Sequence, residues 1–462
     1  MTYTRTRRPR LGRRHAILGA GSAFLLLAAG EAAAAPAFAS VCGTPIHQVS
    51  AAPTGAPGNG ASSMPAVSAD GRLVVFESSA TNLTPGIASP PPDEVAPPQI
   101  YLRDVIAGTT KLISASPGSA PGDYGSTAPS ITPDGRYVAY TSSATNLVAG
   151  DTNNSADVFL YDVGTGVTSR VSVAGDGSQA DNGVLPGWHT AADISDDGRT
   201  VAFSSNSTNL VPGVGSISSS MVYVHDLRRH TTTLVSANSA GDPADNFSQG
   251  AAISGDGRLV AFASRADNLV PGDTNNDFDV FVRDLRTGAV TRVSVSTSGA
   301  QGTGSSSTDP VFSRDGSTVA FMSGANGLTA DGAANPTGDI FVHNLRTGTT
   351  VKASIGLDGV SGNGWSGSHF ASLSQNGRYV SFQSLSTNLV SEPLNGAYHV
   401  FVRDLLLGTT RVVTTTAAGT GGGGYAGALS PSGKYVTFYS WATDLVPAWT
   451  DGSSSQIYLR RV

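Results

Sequence analysis

The chain has 462 residues, of which 39% are hydrophobic and 13% charged, and its formal net charge is −6 at pH 7. Residues 1–39 hold six of the 28 basic residues and one of the 34 acidic ones, so the remainder of the chain carries a net charge of −11. An acidic chain without a basic stripe argues against nucleic acid and against anionic membrane surfaces as partners.

The first 39 residues have the organisation of an export signal. A head rich in arginine precedes the apolar stretch from Ile17 to Gly30, and Ala37-Phe38-Ala39 is a small-residue cleavage motif. Arg13-Arg14 resembles a twin-arginine signal, and general secretion is the alternative. The sequence thus predicts a signal peptide over 1–39, a mature domain over 40–462 with no membrane insertion, and a secreted or cell-envelope location. Cys42 is the only cysteine, which excludes an internal disulfide.

One phrase recurs seven times in the mature chain at intervals of about sixty residues. It consists of Ser-x-Asp-Gly-Arg, an alternating apolar run, an Asn-Leu loop and Val-Phe-Val-Arg-Asp. A repeat of this period indicates a solenoid, a propeller or another array. The turn glycines of the seven copies are Gly71, Gly135, Gly198, Gly257, Gly316, Gly377 and Gly433.

The second copy shows how one repeat folds. Alternating or β-branched runs predict four strands, and Asp134-Gly135 is expected to be a two-residue hairpin turn between the first two. No helical periodicity is present. Four antiparallel strands in each of seven units specify an all-β, seven-bladed β-propeller, which we expect to be a monomer. The strands predicted for this copy are 128–132, 136–141, 157–161 and 168–173.

The two ends of the repeat array predict how the ring closes. The seventh copy stops after its third strand, at 456–460, and lacks a fourth. Residues 44–50, which precede the first copy, match the fourth-strand pattern and have no blade of their own. We therefore expect this N-terminal strand to complete the last blade and remove an exposed sheet edge.

The motif Ser-x-Asp-Gly-Arg-x-Val-Ala-Phe, followed by Val-Phe-Val-Arg-Asp, resembles the TolB-type propeller repeats, a WD-repeat-like family of exported bacterial proteins. The resemblance covers residues 44–462 and implies the propeller fold. TolB itself is usually six-bladed with an added N-terminal domain. This chain has seven units, so the TolB role in an outer-membrane assembly is not implied.

Two loops predicted to lie between second and third strands are candidate calcium sites. Alternate oxygen-bearing side chains over seven residues can wrap a hard cation, while surface turns capped by Asx side chains are the alternative. Cofactors are otherwise not required. The candidate ligands are Asp151, Asn153, Ser155 and Asp157 in one loop and Asp273, Asn275, Asp277 and Asp279 in the other.

A second candidate site is the central funnel, where the loops that lead into the innermost strands converge. Aromatic and polar side chains together suit a sugar or a peptide, although wide loops can simply carry mixed residues. The candidate funnel residues are Trp188, His189, Gln249, Asp309, Trp365, His369 and Tyr425. Seven-bladed relatives of the fold include lyases with funnel histidines and a metal, but only His189 and His369 are available here.

Together these features favour an exported, non-catalytic binding scaffold that uses its long loops, with a cell-envelope polymer or another exported protein as partner. The alternative is a polysaccharide-active lyase or hydrolase, for which His189, Asp309 and His369 are the catalytic candidates. Three further histidines are predicted to be surface positions near third strands, namely His225, His343 and His399. The Asn that recurs before Leu, as at Asn82, is expected to adopt a left-handed backbone conformation.

Overall fold

The computed structural model describes most of the chain beyond residue 44. The described residues are 45–87, 91, 94–184, 192–214, 219–330, 335, 338–416, 419, 421–446 and 452–462, without the side chains of 368–370 and 426. The predicted export signal and Cys42 therefore lie outside the described residues. Within them every regular element is a β-strand, and no helix is long and apolar enough to cross a membrane.

The strands form seven antiparallel sheets of four, which are the blades. Blade one contains β2 (Ser62–Val67), β3 (Leu73–Ser78), β4 (Gln99–Asp104) and β5 (Thr109–Leu112). Blade two contains β6 (Ser126–Ile131), β7 (Tyr137–Ser142), β8 (Asp157–Asp162) and β9 (Val167–Arg170). Blade three contains β10 (Asp193–Ile194), β11 (Thr200–Ser205), β12 (Met221–Asp226) and β13 (Thr231–Leu234).

Blades four to six repeat the same order of strands. Blade four contains β14 (Ser248–Ile253), β15 (Leu259–Ser264), β16 (Asp279–Asp284) and β17 (Val290–Arg292). Blade five contains β18 (Ser307–Phe312), β19 (Thr318–Ser323), β20 (Asp339–Asn344) and β21 (Thr349–Lys352). Blade six contains β22 (Ser366–Leu373), β23 (Tyr379–Ser384), β24 (His399–Asp404) and β25 (Thr409–Val412).

Blade seven closes the ring as the sequence predicts. It consists of β26 (Tyr425–Leu429), β27 (Tyr435–Ser440), β28 (Gln456–Arg461) and the N-terminal strand β1 (Ile46–Gln48), which pairs antiparallel with β28. The predicted seven-bladed fold and its closure by the N-terminal strand are both confirmed.

Each blade is held together by an aromatic pair on its second and third strands. In blade two, Tyr140 and Phe159 are register partners whose ring centroids lie 5.8 Å apart. Such cross-strand pairs stabilise a sheet beyond the area that they bury. Apolar clusters then join neighbouring blades: Val75 of blade one packs with Val138 of blade two. The blades bury their faces against each other, as expected for units that cannot do so alone.

The Ser-x-Asp-Gly phrase forms a longer turn than the two-residue turn predicted for it. Gly135 N donates to Thr132 O at 2.8 Å, and Gly135 has a φ of 74° while Asp134 is not left-handed. The Asp134 carboxylate instead accepts hydrogen bonds from Thr132 Oγ1 at 2.6 Å and Arg136 N at 3.0 Å. Gly198 shows a second reason for the glycine, because a Cβ there would lie 2.2 Å from the Tyr137 ring of the preceding blade.

The prediction of surface histidines is wrong. His225, His343 and His399 are 3%, 5% and 1% exposed, and the Nδ1 of each ring forms a hydrogen bond with a threonine hydroxyl. All three lie on the third strand of a blade, His225 and His343 at one register position and His399 at another, and the third strands are covered by neighbouring blades on both faces, so these polar side chains are buried.

Candidate functional site

The ring has two different ends. The connections between first and second strands and between third and fourth strands are short, and they share one end, the short-turn end. The remaining connections are longer and lie at the opposite end, the long-loop end. Loops carried by a rigid scaffold are the usual place for binding residues, so the long-loop end is the first place to look for a site.

The innermost strands surround a central channel that encloses a cavity of about 250 Å³. A β-bulge interrupts the innermost strand of most blades, and at the bulge Met64, Ala128 and Asp309 have φ values of 50°, 55° and 54°. Left-handed backbone in such residues often marks a functional site. Here it recurs at one register position in several blades, so it is a feature of the repeat and does not single out Asp309 as catalytic.

Arg314 crosses the short-turn end of this channel. Its Nη1 donates to the carbonyl of Ile194, two blades away, at 2.8 Å, and its guanidinium lies 3.7 Å from the carboxylates of Asp193 and Asp196. Burial raises the pKa of the Asp196 carboxyl. Arg314 thus links blades five and three across the short-turn end of the channel.

The structure places the predicted funnel residues in different surroundings. Asp309 lines the channel, and Gln249 lies beside the bulge of β14. Trp188 and His189 lie outside the described residues, and His369 belongs to β22 without a described side chain. The predicted grouping of His189, Asp309 and His369 therefore stays a prediction.

Trp365 and Tyr425 belong to a continuous cluster of five aromatic rings, which we call the aromatic patch. Its members are Trp365, Tyr398, Tyr425, Tyr439 and Trp441, at the long-loop end of blades six and seven. Ring centroids lie 5.7 Å apart for Trp365 and Tyr398, 5.0 Å for Tyr398 and Tyr425, 5.1 Å for Tyr425 and Tyr439, and 5.4 Å for Tyr425 and Trp441. Trp441 is 45% exposed.

Local structure fixes the rings of the patch. Tyr425 and Tyr439 are opposite each other in the β26–β27 hairpin and stack at an interplanar angle of 13°. Trp441 directly follows β27, and Tyr398 directly precedes β24. Burial raises the pKa of both the Tyr425 and the Tyr439 hydroxyl, so these phenols stay protonated and can donate hydrogen bonds at neutral pH.

Sequence reasoning missed Tyr398, Tyr439 and Trp441 because it considered only the loops that lead into innermost strands. The sequence does contain a pattern from which part of the patch could have been predicted. Counting outward from the turn at Ser432-Gly433 places Tyr439 opposite Tyr425, and Trp441 lies two residues beyond Tyr439 in the same extended direction. Residues at alternate positions share a face of a strand, so three of the five rings could have been grouped.

In the two candidate calcium loops, an arginine lies where a cation was expected. Arg292 Nη1 lies 2.9 Å from Asp273 Oδ1 and 3.3 Å from Asp279 Oδ2, and Gln301 Nε2 donates to the same two oxygens at 3.0 and 3.3 Å. Asn275 directs its Nδ2, not its oxygen, at Asp279, at 3.2 Å. Burial raises the pKa of both carboxyl groups.

The loop of blade two repeats this arrangement. Arg170 Nη1 lies 3.5 Å from both Asp151 Oδ1 and Asp157 Oδ2, and Asn153 Nδ2 donates to Asp157 at 3.1 Å. Asn153 Oδ1 accepts the backbone N–H of Ser155 at 3.0 Å, which is an Asx turn. Calcium binding stays a prediction, and these contacts disfavour it. Across the described residues, no group of three His, Cys, Asp or Glu side chains is arranged to hold a metal ion.

The sequence matches no family model and no curated protein sequence. Among solved structures, it is similar to an oligogalacturonate lyase in complex with manganese, with a TM-score of 0.51, 14% identity, and coverage of 91% of this chain and 96% of that chain. An oligogalacturonate lyase from Vibrio parahaemolyticus gives a TM-score of 0.51, 11% identity, and coverage of 91% and 97%.

TolB from Acinetobacter baumannii is also similar, with a TM-score of 0.39, 15% identity, and coverage of 78% of this chain and 67% of that chain. Identities this low show a shared fold alone. The chain is a seven-bladed β-propeller, and the propeller fold is what the resemblance to TolB-type repeats implies.

Proposed function

We propose that the protein is an exported, non-catalytic propeller that binds a polysaccharide of the cell envelope on the aromatic patch. The observation that carries this proposal is the chain of five contacting rings that ends at the half-exposed Trp441. Exposed aromatic surface on a soluble scaffold is a common mark of an interaction site. The flat C–H faces of sugar rings stack on such surfaces, and the phenols of Tyr425 and Tyr398 supply hydrogen bonds for sugar hydroxyls.

A polymer suits the patch better than a single small molecule. The rings extend from Trp365 of blade six to Trp441 of blade seven, each in contact with the next, so they offer several stacking positions in sequence. Each stacked position adds a modest contribution, and linked positions act together because the second binding event is intramolecular. Export to the envelope is part of the proposal and depends on the predicted signal over 1–39.

A polysaccharide-active enzyme with a site in the funnel is the second candidate. Its support is the fold similarity to oligogalacturonate lyases. Against it, the left-handed backbone of Asp309 is shared by Met64 and Ala128 in the same register position, where no acid chemistry is available. Catalysis needs one unique arrangement of groups, whereas this backbone conformation repeats at one register position in several blades.

A binding screen on the full chain tests the proposal. We expect retardation of the protein in affinity electrophoresis by at least one cell-envelope polysaccharide, without release of new chain ends. Trp441→Ala and Tyr425→Ala should each weaken binding about tenfold or more, as is typical of aromatic hot-spot residues.

Tyr124→Ala is the matched control, because Tyr124 is 60% exposed and lies on a loop that leads into β6, in blade two. The aromatic patch lies in blades six and seven. Binding that survives both patch substitutions contradicts the proposal. Release of reducing or unsaturated ends that depends on His189, Asp309 or His369 would establish the enzyme instead. Retention of an exported protein, with no polysaccharide retained, would replace the polymer by a protein partner.

A further inference from the structure

The basic side chains of the propeller are distributed unequally between its two ends. Every lysine and arginine from residue 45 onward is described, and all but four have their backbone in the short turns or in the strand positions nearer to those turns. The four at the long-loop end are Arg170, Arg265, Arg292 and Lys352.

Three of these four cations are already neutralised by aspartates of their own blade. Arg170 and Arg292 each lie between two carboxylates, as described above, and their side chains are 9% and 11% exposed. Lys352 Nζ lies 3.5 Å from Asp339 Oδ2, and both side chains are buried. These pairs have no net positive charge to offer a ligand.

The fourth cation, Arg265, is remote from the aromatic patch. Its guanidinium lies over the ring of Phe278 in blade four, at 5.8 Å from the ring centroid, and its Nη2 donates to the carbonyl of Asn276. The patch belongs to blades six and seven. Blades six, seven and one have no lysine or arginine backbone position at the long-loop end among the described residues, and the stretches there that the structure leaves out contain none in their sequence. The guanidinium groups of Arg460 and Arg103 do reach the long connections after β25 and β1, where they donate to Thr415 O at 2.8 Å and to Ala51 O at 3.5 Å, and Arg460 is fully buried.

Negative charge does lie beside the patch. Glu77 of blade one accepts a 2.6 Å hydrogen bond from Ser63 Oγ and lies on β3, whose Val74 and Phe76 share an apolar cluster with Tyr439. Burial, then Tyr425 and then Glu77 raise the pKa of Tyr439. Asp444 follows Trp441 by three residues, is exposed, and accepts the backbone N–H of Gly422 at 3.0 Å.

From this charge distribution we infer that the aromatic patch selects glycans that carry no negative charge and rejects polyuronates. The inference rests on the proposed function and adds the ligand class to it. A carboxylate on a sugar stacked against Trp441 or Tyr425 meets Glu77 and Asp444 without an exposed lysine or arginine at that end to compensate it, and such like-charge contacts act as selection against a ligand. The fold similarity to oligogalacturonate lyases therefore does not extend to their acidic ligand.

Two pairs of polymers test the inference on the full chain, because the members of a pair share a backbone and differ in charge. They are hydroxyethylcellulose with carboxymethylcellulose, and methyl-esterified with de-esterified polygalacturonate. We expect the uncharged member of at least one pair to bind, and its acidic counterpart to bind about tenfold more weakly at low salt. High salt should narrow the difference, since the screening length falls from about 10 Å at 0.1 M to about 3 Å at 1 M.

Glu77→Gln is the informative variant, because its amide oxygen can accept the Thr127 hydroxyl and the Ala128 N–H, its NH2 can donate to Ser63 Oγ, and the charge is removed. It should improve binding of the acidic member and leave the uncharged member unchanged, with Tyr124→Ala as the control. Equal or tighter binding of the acidic member, still abolished by Trp441→Ala, overturns the inference and leaves the proposed function intact. Binding of neither member of either pair, with no other neutral glycan retained, removes both.

Discussion

The guanidinium of Arg292 lies 2.9 Å from the carboxylate of Asp273, in the loop where the sequence pattern suggests a calcium ion. A second carboxylate, from Asp279, contacts the same Nη1 at 3.3 Å, and Arg292 Nη2 donates to the carbonyl of Gly272 at 3.1 Å. Arg292 comes from the fourth strand, β17, and fixes the long loop to the edge of its own blade. The charge that a cation would supply is thus built into the fold.

This arrangement predicts how the protein responds to calcium. Adding CaCl₂ to the wild type should leave the melting temperature unchanged. Arg292→Gln removes the cation from two buried carboxylates and should destabilise the protein by about 3–5 kcal/mol, which is the usual cost of breaking a buried pair. Ca²⁺ should then partly restore the melting temperature of the variant, because the oxygen ligands remain.

Arg258→Gln is the control for this experiment, since Arg258 pairs with Asp284 at the short-turn end with 44% of its side chain exposed. Exposed pairs contribute little, so its melting temperature should change by less than that of Arg292→Gln and should not respond to calcium. A wild type stabilised by Ca²⁺, or calorimetric heat that Asp273→Ala removes, contradicts the prediction.

Gln456 connects the two ends of the chain and predicts how much the closure stabilises the ring. Its Oε1 accepts hydrogen bonds from Ser50 Oγ at 2.7 Å and Gly58 N at 3.2 Å, and its Nε2 donates to Gly58 O at 3.0 Å. Gln456→Leu leaves buried backbone groups without partners at a cost of about 1–3 kcal/mol each. We expect a melting temperature lower by several degrees and a shallower unfolding transition.

Gln99→Leu separates closure from the local contacts. Gln99 holds the same register position in blade one, accepts Ser114 Oγ at 2.7 Å, and donates to Gly122 O at 3.1 Å within a continuous stretch of chain. If ring closure stabilises the protein, Gln456→Leu should destabilise it more than Gln99→Leu. Only Gln456 joins segments from the two ends of the chain, which no covalent connection within the ring holds together. Equal losses from the two variants would show that closure adds nothing beyond the local network.

The fold could be predicted from the sequence because the same pattern of turn and strand residues occurs seven times. The period of the repeat predicts the size of a blade. The segment around Ile46, which has no blade of its own in the sequence, predicts how the ring closes, and in the structure Ile46 pairs with Arg460. Local chemistry at the turns was less accessible. Asp134-Gly135 is compatible with a two-residue hairpin turn, and the contact of the glycine position with the preceding blade, seen at Gly198 and Tyr137, is a tertiary constraint that local sequence does not reveal.

The recurrent asparagine shows where sequence reasoning fails for a physical reason. Asn82 does not have the left-handed backbone expected for it. Its Oδ1 accepts the N–H of Asn59 at 3.0 Å and its Nδ2 donates to Pro57 O at 2.9 Å, so it joins the loop before the first strand to the loop after the second. The aromatic patch is also a product of tertiary structure, because Tyr398, from an intervening loop, contacts both Trp365 and Tyr425.

His399 is held in one neutral form by its contacts. Its Nε2 lies 2.9 Å from Asn395 Oδ1, an oxygen already oriented by the Ala397 N–H, so Nε2 donates. Its Nδ1 lies 2.9 Å from Thr414 Oγ1 and accepts the hydroxyl proton. Burial of the ring lowers the pKa of His399 from 6.5 to about 4.

The position of this histidine predicts acid sensitivity. Between pH 6.5 and about 4 the unfolded chain binds a proton at His399 and the folded protein does not, so stability is present above this window and is lost as the pH falls through it. His399→Gln, the residue that the chain itself uses at the equivalent Gln99 and Gln456, should lose less melting temperature between pH 7 and pH 5 than the wild type. His47→Gln, on the exposed strand β1, should behave like the wild type. The same decline with pH in all three proteins would show that His399 does not cause it.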